Sequence, residues 1–203
     1  MYLESTRYDE IEKEVIKFYK KVHIDIFPID CFDLCKQLGI EVVPYSSKSK
    51  KALNQIGDAS KDGFSVLFQY SDGSLKWKIY YNDSMPKERI RFTIMHEIGH
   101  VRLDHTEHSE LAEAEANYFA KYSLAPPPLI HQLYIEDFVD LAEKFGISLT
   151  CAYYAMQSYA KWLRYGPREY QAHELVLVSL HTMAPLINLI KLTEPLQSLQ
   201  NAE

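Results

Sequence analysis

Apolar residues recur at helical spacing from the first turn of the chain. In RYDEIEKEVIKFYKKVHI, the residues Ile11, Val15, Phe18, Tyr19 and Val22 share one stripe, which predicts an amphipathic helix. PIDCFDLCKQLGI predicts a second helix, preceded by Pro28, capped by Asp30 and ended by Gly39. IEVVPY then changes to a β-branched run, a short strand. Residues 46–62, SSKSKKALNQIGDASKD, are polar and read as a loop with at most a helical turn. Two β-rich runs follow in GFSVLFQYSDGSLKWKIYYND, and the Ser71-Asp72-Gly73-Ser74 stretch between them is a hairpin signal. Pro86 opens the next helix, with Ser84 or Asp83 as its cap, and Ile90, Ile94, Ile98 and Val101 are its apolar residues. Ser109 caps SELAEAEANYFAKYSLA, and PPPLI ends it.

The rest of the pattern is helical. YIEDFVDLAEKFGISLTCAYYAMQSYAKWLRYG reads as helix, Gly146-Ile147-Ser148 turn, helix. The tail carries an apolar helix from Leu175 to Leu192, broken near Pro185. Helices, a small sheet, then helices only is an α+β order. The expected division is 1–126 for the main domain, 127–166 for a helical extension and 167–203 for a C-terminal helical tail.

Composition narrows the function classes. The 203 residues are 47% apolar and 25% charged, ordinary for a globular domain. A net charge of −6 argues against non-specific nucleic-acid binding. The late helical pair has Lys161 and Arg164 only at its end, so it reads as packing rather than a DNA reader. Three cysteines, Cys31, Cys35 and Cys151, make no disulfide framework and are expected as plain thiols. The N-terminus has no apolar signal core, and no run approaches the ~20 apolar residues of a membrane span. The expected location is the cytoplasm, with no membrane partner. Oligomeric state is left open.

The chemistry lies in FTIMHEIGHVRLDHTEHSELAEAEANYFAKYSLAP. His96-Glu97-Ile98-Gly99-His100 is an H-E-x-x-H motif. On a helix, i and i+4 share a face, so both imidazoles can meet one metal ion, with Glu97 beside them as general base. A chance match in a chain of this His and Glu content would arise about once in forty. Gly99 inside a helix costs about 1 kcal/mol against alanine and signals close approach by another element. Two histidines leave a ligand to find. An extended motif would need Gly at 103 and His at 106, but the chain has Leu103 and Thr106, and His105 and His108 miss that register. Glutamates of the next helix remain. Glu113 is preferred because Asn117 lies one turn on, placed to hydrogen-bond His96 or His100 and fix a tautomer. Glu115, nearly opposite on the helix, is the alternative third ligand.

These residues carry a resemblance. RFTIMHEIGHVRLDH followed by EAEANYFAKYSLAP resembles the ImmA/IrrE family of zinc metallopeptidases, with its H-E-x-x-H, short acidic gap and E-x-E-A-N-x-F-A. PIDCFDLCKQLGIEVVPYS is similar to that family's N-terminal helix and strand, and VDLAEKFGISLTCAYYAM to its downstream helical pair. The exit YSLAPPPLI differs from the more usual LLMP. The resemblance spans roughly residues 8 to 165 and implies a zincin-like domain, its small three-stranded sheet packed on the H-E-x-x-H helix. It also implies one zinc per chain in a gluzincin-like site, with His96, His100 and Glu113 as ligands and Glu97 as catalytic base. Members of the family are regulatory proteases that cleave or disable a helix-turn-helix repressor of a phage, mobile element or stress response. The expected partner is therefore a protein substrate. The competing reading is a non-proteolytic anti-repressor that keeps the zinc site. His131, Tyr153 and Tyr154 are candidate oxyanion donors, and KWKIYY is the expected sheet edge for a substrate peptide.

Overall fold

The computed structural model describes residues 3–22, 24, 27–56, 60–165 and 169–180. The chain opens with α1 (Ser5–Val22) and α2 (Cys31–Leu38), then β1 (Glu41–Pro44), a 3-10 turn at Tyr45–Ser47 and α3 (Lys50–Ile56). The hairpin β2 (Gly63–Gln69) and β3 (Leu75–Tyr81) follows. Among the described residues, the elements that follow are all helices: α4 (Lys87–Arg102), α5 (Glu110–Leu124), α6 (Pro127–Gln132), α7 (Phe138–Phe145) and α8 (Leu149–Tyr165). Residues 172–180 are also helical. This is an α+β fold with a three-stranded sheet. Pro185 and the tail beyond 180 lie outside the described residues.

Local signals account for most of these elements. The α1 stripe buries Ile11, Val15, Phe18, Tyr19 and Val22, together with Ile16. Asp30 caps α2 by accepting from the backbone N–H groups of Phe32 and Asp33, and Gly39 ends it in the left-handed region at φ 69°. Between β2 and β3, Gly73 takes φ 83°, and the Tyr70 N–H donates to the Ser74 carbonyl. Ser109 caps α5, and Asp137 and Gly146 bracket α7.

Three expectations are corrected. Neither Ser84 nor Asp83 caps α4. Pro86 occupies the cap position without a side-chain bond, and the Asp83 carboxylate instead accepts from the Ser46 N–H. The stretch 46–62 holds a 3-10 turn and the helix α3 rather than a single turn. The strand order is β1-β3-β2. β1 runs parallel to β3 and β2 antiparallel to it, so KWKIYY is the middle strand and β2 is an edge.

One core spans the molecule. Phe18 and Tyr19 of α1, Ile94 and Ile98 of α4, Phe119 of α5, and Leu129, Leu141 and Phe145 of the later helices belong to the same buried cluster. Val43, Leu53, Phe64 and Tyr80 form a smaller cluster on the other face of the sheet. α4 and α5 pack closely beside the site. A Cβ on Gly99 would meet Phe119 at 3.2 Å and the Ala116 Cα at 3.3 Å. The glycine therefore lets α5 lie against the H-E-x-x-H turn. Cys31 and Cys35 are buried thiols; burial pushes them up to about 11 and about 12, which makes them poor nucleophiles at neutral pH.

Candidate metal and catalytic centre

α4 supplies His96 and His100 from consecutive turns, and α5 brings Glu113 across to them. His96 Nε2 and His100 Nε2 are 3.0 Å apart. Glu113 Oε2 is 3.4 Å from His96 Nε2, and its Oε1 is 3.3 Å from His100 Nε2. One donor atom from each of the three residues lies within 4.8 Å of the others, a grouping that could hold a metal ion. Burial lowers the affinity of both histidines for a proton, and His100 falls to about 4 with His96 as its next largest cause. A neutral ring keeps one bare nitrogen lone pair, and with that nitrogen at Nε2 each ring can offer it, beside the Glu113 carboxylate, to a shared cation. The donor set of two imidazoles and one carboxylate suits zinc.

Glu97 is 6% exposed. Ser65 of β2 donates to its Oε2 at 2.7 Å. Burial pushes the Glu97 carboxyl up to about 7; the Ser65 bond opposes the rise and Glu113 adds to it. A carboxyl poised there can both take and return a proton near neutral pH. The site opens into a cavity of about 820 Å³, floored by β2 and α4 and bordered by Trp77, Arg89 and Phe92.

Glu113 and Glu115 of α5 separate as their spacing requires. Glu113 faces His96 and His100, and its side chain is 45% exposed. Glu115 is buried on another face of α5. It accepts from Arg7 Nε at 2.7 Å and Arg7 Nη2 at 2.6 Å, and its Oε2 is 2.9 Å from His105 Nε2. Arg7 and then His105 hold Glu115 below the usual glutamate range. Asn117 lines the cavity and favours the charged form of His96. The buried His96 Nδ1 nevertheless makes no hydrogen bond with a described residue.

Some candidates lie elsewhere. His131 pairs with the Tyr159 hydroxyl at 2.9 Å, and Tyr153 and Tyr154 are half-exposed on α8; none of the three is among the cavity's lining residues. His108 and Arg89 do border it, with His108 Nδ1 3.6 Å from Glu113 Oε1. Three residues escaped the sequence reading: Ser65, Arg7 and His105. Ser65 is set two strand positions beyond Gly63 on the face towards α4, and no local pattern marks it. His105 returns to the site because Asp104 adopts φ 54° and the His105 N–H donates to the His100 carbonyl, which is a Schellman-type helix end. Its single visible trace was the run of histidines after the motif.

No described helix is long and apolar enough to cross a membrane. No curated protein matches the chain in sequence. The family model of the IrrE N-terminal-like domain, Peptidase_M78, matches residues 35–157. That segment runs from the middle of α2 into α8 and includes β1, β2, β3, α4 and α5, with the three-donor cluster and Glu97. The match covers more than half of the chain, and with this α+β architecture it shows that the chain belongs to the family of the IrrE N-terminal-like domain, a family of peptidases.

Proposed function

We propose that this chain is a zinc-dependent endopeptidase of narrow specificity, and that its substrate is a cytoplasmic helix-turn-helix repressor of a phage, mobile element or stress regulon. The observation that carries the reading is the convergence of His96, His100 and Glu113 beside the buried, proton-poised Glu97, all four lining one cavity of about 820 Å³. The repressor rests on the family resemblance.

In this reading His96, His100 and Glu113 hold the zinc. The bound ion would acidify a water and polarise the scissile carbonyl. The chain's own groups do the rest. Glu97 takes a proton from the water as its oxygen bonds to the carbonyl carbon. The same carboxyl then gives that proton to the amine nitrogen as the C–N bond breaks. Ser65 holds Glu97 towards the cavity. The extended backbone of a substrate pairs with β2, the strand that is both an edge and a wall of the cavity. Arg89 or His108, both of which border the cavity, supplies the further hydrogen-bond donor for the oxygen that gains charge.

Metal content and cleavage together test this. Wild type should carry about one zinc per chain. Glu97→Gln should keep the zinc and lose cleavage of the repressor by a factor of about a thousand or more. Glu113→Ala should lose both. Absence of stoichiometric zinc in wild type defeats the proposal. Repressor inactivation that survives in Glu97→Gln defeats its catalytic part and favours the anti-repressor reading.

A further inference from the structure

The hydrogen bonds around His100 continue outward in a single line. His100 Nδ1 lies 2.9 Å from His105 Nδ1. His105 Nε2 lies 2.9 Å from Glu115 Oε2. Glu115 is gripped side-on through both oxygens by Arg7 of α1, a fork that fixes its plane. Arg7 is held from its other side by Glu10 at 2.9 Å. Glu115 and His105 are almost fully covered, with side chains 7% and 11% exposed.

The line has a direction. A carboxylate bound to Arg7 can only accept, so His105 Nε2 donates to it. In a neutral ring the other nitrogen, His105 Nδ1, is then an acceptor, and His100 Nδ1 must donate to it. That leaves His100 Nε2 without a proton, and Nε2 is the atom that faces His96 and Glu113. His96 has no comparable chain behind it: its Nδ1 makes no hydrogen bond with a described residue, and its polar neighbour on α5 is Asn117.

We infer that His105 is a positioning residue that fixes the ring angle and tautomer of His100 for metal binding, with Arg7 of α1 as its outer anchor through Glu115. The inference rests on the proposed role of His96, His100 and Glu113 as zinc ligands. It adds that the site draws on α1, a helix outside the 35–157 segment that matches the family. α1 is tied to the same region at two further points. Tyr118 of α5 donates to Glu12 at 2.5 Å, and Arg102 at the end of α4 pairs with Glu14.

Zinc affinity of the full chain, measured by competition with a chromophoric chelator at one pH, tests the inference without any peptide substrate. His105→Ala should bind zinc about 10- to 100-fold more weakly than wild type. His105→Gln should recover part of that loss, because its carbonyl oxygen can face His100 Nδ1 and its amide N–H can face Glu115. Arg7→Gln should weaken binding by a smaller factor, and should add nothing once His105 is alanine, because it acts through that ring. Zinc binding by His105→Ala within twofold of wild type overturns the inference. So do equal losses in His105→Ala and His105→Gln, or an Arg7→Gln loss that persists in full beside His105→Ala. Should His105→Ala fail to fold once stripped of metal, the glutamine and Arg7 variants decide the matter. A wild type that binds no zinc fails the proposed function itself, whereas a wild type that binds zinc beside an unaffected His105→Ala fails only this inference.

Discussion

Glu97 ties stability to pH in a direction that can be measured. Its carboxyl holds a proton up to about 7 in the folded chain, against 4.5 for the free group. Between those values folding takes up a proton, so stability falls as pH rises, and above about 7 the cost stays constant. The full cost is up to about 3 kcal/mol. Glu97→Gln removes it. In chelator-treated protein, denaturant melts should show the variant gaining on wild type by about 2 kcal/mol between pH 5 and pH 8. A gap that stays level across that range would show that Glu97 titrates normally. Ser65 acts on the same group. Ser65→Ala should keep its zinc and lower kcat about tenfold, the loss expected for one hydrogen bond to a reacting carboxylate.

At the scale of elements, the α4–α5 seam decides whether the donors meet. Gly99 leaves no room for a larger side chain against Phe119 and the Ala116 backbone. Gly99→Leu should destabilise the protein by about 3 kcal/mol and weaken zinc binding in parallel, since α5 carries Glu113. Thermal melts with and without zinc would check both effects, and an unchanged melting temperature would contradict the packing argument. The seam was legible beforehand, because a glycine amid Ile94, Ile98 and Val101 already implied a close neighbour. The longer helices were readable for the same local reason, an apolar stripe with end signals, whereas the short α3 and α6 lay in stretches that read as a polar loop and a helix stop. Glu113 and Glu115 could be told to face apart from the helical angle alone, and Asn117 one turn on favoured Glu113, the residue found beside the histidines, whereas the Arg7 partner of Glu115 on α1 was not legible. Strand order was not legible. β1 reaches β3 through a parallel pairing across α3 and β2, and nothing within KWKIYY reveals that both its edges are taken. The His105 contact was hidden in a similar way, since it depends on one left-handed residue, Asp104, at the end of α4.

For the molecule as a whole, the proposed zinc would link metal and fold. Zinc bound only by the folded chain should add about 4 kcal/mol at a free concentration a thousandfold above its Kd. Calorimetric scans should therefore show the melting temperature dropping on chelation in wild type and hardly moving in Glu113→Ala. A drop of equal size in both would place the stabilising ion elsewhere. The half-exposed Glu113 has a further consequence, for the rate of metal exchange rather than for its equilibrium. A chelator can approach the ion through the cavity from the Glu113 side while the core stays closed. Loss of zinc should then quicken in proportion to chelator concentration, through a transient complex in which both hold the ion, instead of levelling off at the rate of global unfolding. The protein would trade its metal with the surrounding pool while remaining folded.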